Sequence, residues 1–176
     1  PDWFIENQTT GRNPHEEIDD PFTSAKILQA HVDEGLKLAR KHRLPRPIAD
    51  FIPEHQGTLK MGYFLHKAKT VDPLISEDNF RYKGPIPRSR ETAILMLADG
   101  CEAALRALDP KTTDEDACKT VRKIVEARQI DGQLKESSLT RAEVELVIRA
   151  FVSVWRRMRH HRIPYPINSK KKSYGT

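Results

Sequence analysis

From Val144 to Met158 the apolar residues return at steps of one, three or four: Val144, Val147, Ile148, Phe151, Val154, Trp155 and Met158. That is the period of an α-helix, and a stripe this broad has to be covered by other elements. Thr140 and Glu143 stand just ahead of it with the spacing of a capping box. The same period recurs upstream. Asp20-Pro21 reads as an N-cap with proline at the first helical position, opening a helix that carries Ile27, Leu28, Val32, Leu36 and Ala39 and ends near His42. A short helix from about Pro47 presents Ile48, Phe51 and Ile52 and finishes around "PEHQGT"; a third covers "LKMGYFLHKAK".

A proline-rich loop, Asp72 to Pro87, precedes the most apolar helix, from about Arg88 to Leu108, which Asp109-Pro110 stops. "TTDEDACKTVRKIVEARQIDG" begins with Thr113 and Asp116 in capping positions and ends at Gly132. The first twenty residues have no period and many turn formers. No segment alternates apolar and polar residues as a half-buried strand would, and no internal repeat is visible. The expected fold is all-α.

At 176 residues the chain has the length of one domain with a real core. Its longest unbroken apolar run, "AILMLA", is far too short to span a bilayer, and the N-terminus lacks the pattern of a signal peptide. Cys101 and Cys118 show no CxxC spacing, so neither a disulfide framework nor a structural zinc site is expected. The net charge of +5 is concentrated in "WRRMRHHR" and "SKKKS" near the C-terminus. Residues 167–176 read as a solvated, disordered basic tail, and without a recognisable motif no nucleic-acid partner is expected. His160 and His161 belong to this basic stretch, and His42 to a charged helix terminus.

Three polar residues interrupt inward-pointing segments. Asp99 has Leu95 and Met96 one turn before it and Ala103 one turn after, which places it on a buried face. A carboxylate there needs a partner: a helix end, an arginine or a bound cation. His31 lies on or near the stripe of Ile27, Leu28 and Leu36, and His55 follows a helix end. Each alone suits a hydrogen-bonded structural histidine. Together, two imidazoles and a carboxylate suit a divalent cation, although their spacing fits many arrangements.

Four segments in order, "ENQTTGRNPHEE", "AHVDEGLKLARKHRLPRPIADFIPEHQGTLKMGYFLHKAK", "EDNFRYKGPIPRSRETAILMLADGCEAALRAL" and "VRKIVEARQIDGQLKESSLT", resemble the cytoplasmic HD domain of PgpH-type cyclic di-AMP phosphodiesterases, the bacterial seven-transmembrane-HD family. The most specific are "FRYKGPIPRSRETAILMLAD" and "EHQGT…YFLHKA". The resemblance runs from Phe4 to about Pro166 and implies that residues 1–166 are the C-terminal portion of an HD phosphohydrolase domain. It implies an all-α helical bundle with two divalent metal ions, usually manganese or iron, that linearises cyclic di-AMP. His31, His55 and Asp99 match the family's metal ligands.

Two departures accompany this likeness. Gln56 stands where many members carry a second consecutive histidine, and a glutamine carbonyl binds metal more weakly. None of the seven histidines is followed by aspartate. The family's His-Asp pair is therefore expected upstream of Pro1, in helices this chain lacks, and the chain is expected to be inactive alone. Its bared apolar face would favour self-association or the missing upstream helices as a partner. The parent is expected to carry a transmembrane region in a bacterial inner membrane. The alternative is an HD-like domain that binds a nucleotide and relays a signal without chemistry. For substrate contacts the candidates are Arg81, Tyr82 and Lys83 in the proline-rich loop, with Tyr63, His66 and Lys67 after "HQGT"; arginine and lysine suit phosphates and tyrosine can stack on adenine. "FRYKGP" could equally staple its loop to the core.

Overall fold

The computed structural model describes residues 14–109 and 111–159; the regular elements among them are helices joined by turns and loops, with one isolated antiparallel bridge between Lys60 and Arg81. The elements are α1 (Pro14–Ile18), α2 (Pro21–Lys41), α3 (Arg46–Ala49), α4 (Phe51–Glu54), α5 (Gly62–Val71), a 3₁₀ turn (Glu77–Phe80), α6 (Arg90–Arg106), α7 (Asp114–Ile130) and α8 (Arg141–Arg159). Helix α1 corrects the expectation of an irregular start: Pro14 opens it and Glu16 and Glu17 sit in its first turn, favourable signals at a helix N-terminus. The short helix expected from Pro47 is two, α3 and α4, meeting at Asp50. Expectations for residues 1–13 and 160–176, including the basic tail, His160 and His161, lie outside the described residues. Among the described residues no helix is long and apolar enough to cross a membrane.

Helix ends follow local chemistry. The Asp20 carboxylate accepts from the amides of Phe22 at 3.0 Å and Thr23 at 3.2 Å, fixing the start of α2. Helix α6 has a full capping box in which Ser89 accepts from the Thr92 amide at 3.1 Å and Thr92 accepts from the Ser89 amide at 3.3 Å. At α8 the Thr140 hydroxyl accepts from the Glu143 amide at 3.2 Å, and the Glu143 carboxylate accepts from the Thr140 amide at 2.8 Å.

The apolar residues divide into two clusters. The larger joins α6, α7 and α8 through Leu97, Cys101, Leu105, Ala117, Val121, Val125, Val144, Val147, Ile148 and Val152. The smaller joins α2, α5 and the 3₁₀ turn through Ala25, Met61, Phe64, Leu65, Ala68 and Phe80. Cys101 is buried as a small apolar residue, and burial pushes its thiol up to about 11 against the opposing charge of Arg128. The α8 stripe is covered only in part. Val154 and Met158 are exposed, along an apolar groove of about 690 Å³ that Leu105, Leu108, Phe151 and Trp155 also line.

Candidate functional site

The turn that follows α4 is clamped from two sides. Glu54 is 1 % exposed, and its carboxylate accepts from the Arg88 amide at 2.9 Å, the Arg88 Nε at 2.8 Å and the Thr92 hydroxyl at 2.7 Å. Burial alone would push this carboxyl up; these donors and the Arg88 charge outweigh it and hold the group below its ordinary value. On the other side Gln133 is fully buried. Its Oε1 accepts from the Thr58 amide at 3.0 Å, and its Nε2 donates to the Thr58 hydroxyl at 2.8 Å and to Asp131 at 2.9 Å. Between them Gly57 takes φ +52°, and a Cβ there would lie 2.5 Å from Gln133 Oε1 and 2.6 Å from Met96 Cε. Only glycine fits.

The clamp delivers His55. Its Nδ1 lies 2.6 Å from the Ile52 carbonyl, and His31 Nδ1 is likewise bonded to the Leu28 carbonyl. A carbonyl only accepts, so both rings carry their hydrogen on Nδ1. The two Nε2 atoms then face one another at 3.4 Å. Two imidazole lone pairs at that separation repel unless a proton or a cation lies between them. Helices α2 and α4 can approach this closely because Gly35 has no side chain: a Cβ there would come within 2.8 Å of Ile52 Cγ2. The structure thus brings His31 and His55 together.

Asp99 corrects the sequence reading. It is exposed, not buried, and Leu95 one turn earlier is 40 % exposed. The buried face of α6 is Ala93, Met96, Leu97 and Cys101, and Asp99 projects off that face. It still belongs to the neighbourhood of the histidines. Tyr82 packs edge-on to His31 with centroids 5.8 Å apart, and its hydroxyl is pushed up to about 12 by burial and by the charge of Asp99. Among the described residues, however, no group of three or more His, Cys, Asp and Glu side chains is close enough to hold a metal ion. The imidazole pair fits a borderline cation as two of its ligands, not as a complete set. Gln56 follows His55 in the same turn and is half-buried.

The expected substrate-binding residues separate into two places. Arg81, Tyr82 and Lys83 line a cleft of about 440 Å³ together with Phe22, Lys26 and Thr58. Arg81 is committed within the protein, donating to the Thr58 carbonyl at 2.7 Å and pairing with Asp131 at 3.2 Å, so it staples its loop to the clamp. Lys83 reaches Asp33 at 3.7 Å and remains largely exposed. Tyr63, His66 and Lys67 lie on α5. Lys67 pairs with Asp19 at 2.6 Å, just ahead of α2 and about three turns of that helix before His31. Tyr63 and His66 are exposed, so this group stands apart from the imidazole pair.

Sequence reasoning missed Glu54, Thr58, Arg88, Gln133, Asp131 and Arg128. A signal existed for two of them: Glu54 sits in an otherwise apolar turn of helix, and Gln133 directly follows the glycine that ends α7.

No family model matches the chain. It is 48% identical over 168 residues to an uncharacterized protein of Synechocystis, a match covering 93% of this chain and 21% of that protein. It is 36% identical over 171 residues to the cyclic-di-AMP phosphodiesterase PgpH of Bacillus subtilis, covering 97% of this chain and 24% of the relative. The chain therefore spans about a fifth to a quarter of these curated relatives. Among solved structures, the PgpH HD domain of Listeria monocytogenes in complex with cyclic-di-AMP superposes with a TM-score of 0.84 at 31% identity, covering 89% of this chain and 72% of that one. A second crystal structure of the same domain gives 0.82. The clamp, the imidazole pair and the all-helical frame thus lie within a known architecture: the chain belongs to the PgpH family and has the fold of its HD domain.

Proposed function

We propose that the chain forms most of the catalytic domain of a metal-dependent phosphodiesterase that opens cyclic di-AMP to the linear dinucleotide, on the cytoplasmic side of a bacterial membrane protein. The observation that carries this reading is the pair of imidazole Nε2 atoms facing one another at 3.4 Å, each ring fixed by a backbone carbonyl at Nδ1. The relatives named for the same activity add support.

His31 and His55 would hold a divalent cation, manganese or iron, with Asp99 as the carboxylate and Gln56 as a weaker carbonyl donor near a second ion. Such ions supply Lewis acidity, drawing charge from phosphoryl oxygens and lowering the pKa of a coordinated water. The chain's own residues orient the ligands: Glu54 and Gln133 fix the turn that carries His55, and Tyr82 packs edge-on against His31. Among the described residues, His31, His55 and Asp99 are too few strong donors for two cations, so the chain alone is expected to be inactive and to need further donors. Gln56 favours a second reading, a nucleotide-binding HD domain without hydrolysis, because it weakens the second ion.

The test is a manganese titration of the chain followed through its histidine ring signals by NMR. The signals of His31 and His55 should broaden before those of His66 and His42, and His55→Ala should weaken manganese binding about tenfold or more. Early broadening at His66 or His42 instead would overturn the assignment. Binding of cyclic di-AMP with no cleavage when the complete protein is assayed with manganese would decide for the second reading.

A further inference from the structure

Arg81, Arg88 and Arg122 each meet a carboxylate, on Asp131, Glu54 and Glu145. Arg128, near the C-terminal end of α7, does not. Its Nε is buried and has no hydrogen-bond partner, and no ion pair joins it to a carboxylate among the described residues. Arg128 is otherwise half-buried, and a shielded donor left unbonded is costly; an anion reaching the outer nitrogens supplies the charge-assisted hydrogen bonds that the group lacks within the protein. Burial lowers the group's hold on its proton, and the charges of Asp131 and Asp99 offset this only in part.

Its position is defined by packing against α6. The guanidinium lies over Gly100, the residue after Asp99: a Cβ at Gly100 would stand 3.1 Å from Arg128 Nη2 and 3.4 Å from Ile124 Cγ2. An absent side chain on α6 therefore makes room for a cation beside Asp99. The backbone carbonyl of Arg128 also accepts from the Gln133 amide at 2.9 Å, tying this residue to the segment that clamps the His55 turn.

We infer that Arg128 is a phosphate-binding residue of the site, its outer guanidinium nitrogens donating to non-bridging oxygens of the substrate's phosphodiester. The planar fork of donors matches phosphate oxygens, which spread charge over the same geometry. This inference rests on the proposed function for the identity of the ligand but not for the presence of an anion.

The experiment titrates the chain with linear diadenylate carrying a 5′-phosphate, with adenosine and with inorganic phosphate, following affinity and the NMR signal of the Arg128 Nε–H. Arg128→Met should lower affinity for the dinucleotide about 10- to 100-fold and leave adenosine unchanged. Arg128→Lys should recover part of it. Gly100→Ala, which improves helix propensity, should keep or raise thermal stability while lowering dinucleotide affinity several-fold. Equal dinucleotide binding by wild type and Arg128→Met overturns the inference and leaves the proposed function standing. A matching loss for adenosine also overturns it, since the residue would then act through the fold. If no adenine nucleotide binds this chain, inorganic phosphate decides the inference: a shifted Nε–H signal sustains it and an unmoved one ends it.

Discussion

The two halves of the molecule are held together by different physics. From α6 to α8 a continuous apolar cluster carries the packing, and the polar contacts there are exposed pairs such as Arg122 with Glu145. From α2 to the 3₁₀ turn the apolar cluster is smaller, and the segment around His55 depends on a buried carboxylate and a buried amide. Apolar packing tolerates small displacements because it has no preferred direction. Hydrogen bonds to Glu54 and Gln133 do have direction. The seam between the halves is where a side chain needs to be aimed, and that is where the directional contacts are concentrated.

The comparison can be broken most severely from the apolar side. Leu97→Ala removes a fully buried side chain from the larger cluster. It should cost about 2–5 kcal/mol in urea unfolding while the His31 and His55 ring signals of the folded protein stay in place. If those signals move, the halves are not separable in this way.

A smaller stability effect with a larger effect on the site is expected from Glu54→Gln. Loss of charge at three donors should cost about 1–3 kcal/mol, toward the low end because Arg88 is partly open to water. The His55 ring signals should shift. The carboxyl of Glu54 is held below its ordinary value of 4.5. Its contribution is therefore present above about that pH and is lost as pH falls through the lower folded value. Wild type should lose stability below pH 4.5 and Glu54→Gln should lose less, as read by unfolding across an acid series. Equal acid sensitivity would remove Glu54 from the account. The smallest effect is expected at the far end of the larger cluster, where Thr140→Ala should cost about 1 kcal/mol by thermal melting and leave the histidine signals untouched.

How much of this was legible in the sequence follows the same division. Stripes at helical spacing announced α2, α6, α7 and α8, and Thr140 with Glu143 announced the start of α8, because periodicity and capping are local. The box at Ser89 was missed because Thr92 replaces the usual glutamate or glutamine. Asp99 was misplaced because apolar neighbours a turn away do not say which face of a helix finds a partner; Leu95 is itself exposed. Glu54 and Gln133 each left a local trace, but their partners in the clamp could not be read. Glu54 and Arg88 are 34 positions apart, and Thr58 and Gln133 are 75 apart. No local pattern marks such pairs. The resemblance located the histidines, and the geometry supplies what holds them.

Each imidazole hangs from a carbonyl three residues behind it on its own strip of backbone, so neither ring can swing to compensate for its neighbour. The gap between them is a caliper set on α2 and α4, with Gly35 as the stop. Displacing α2 from α4 would change that gap directly, with neither ring rotating.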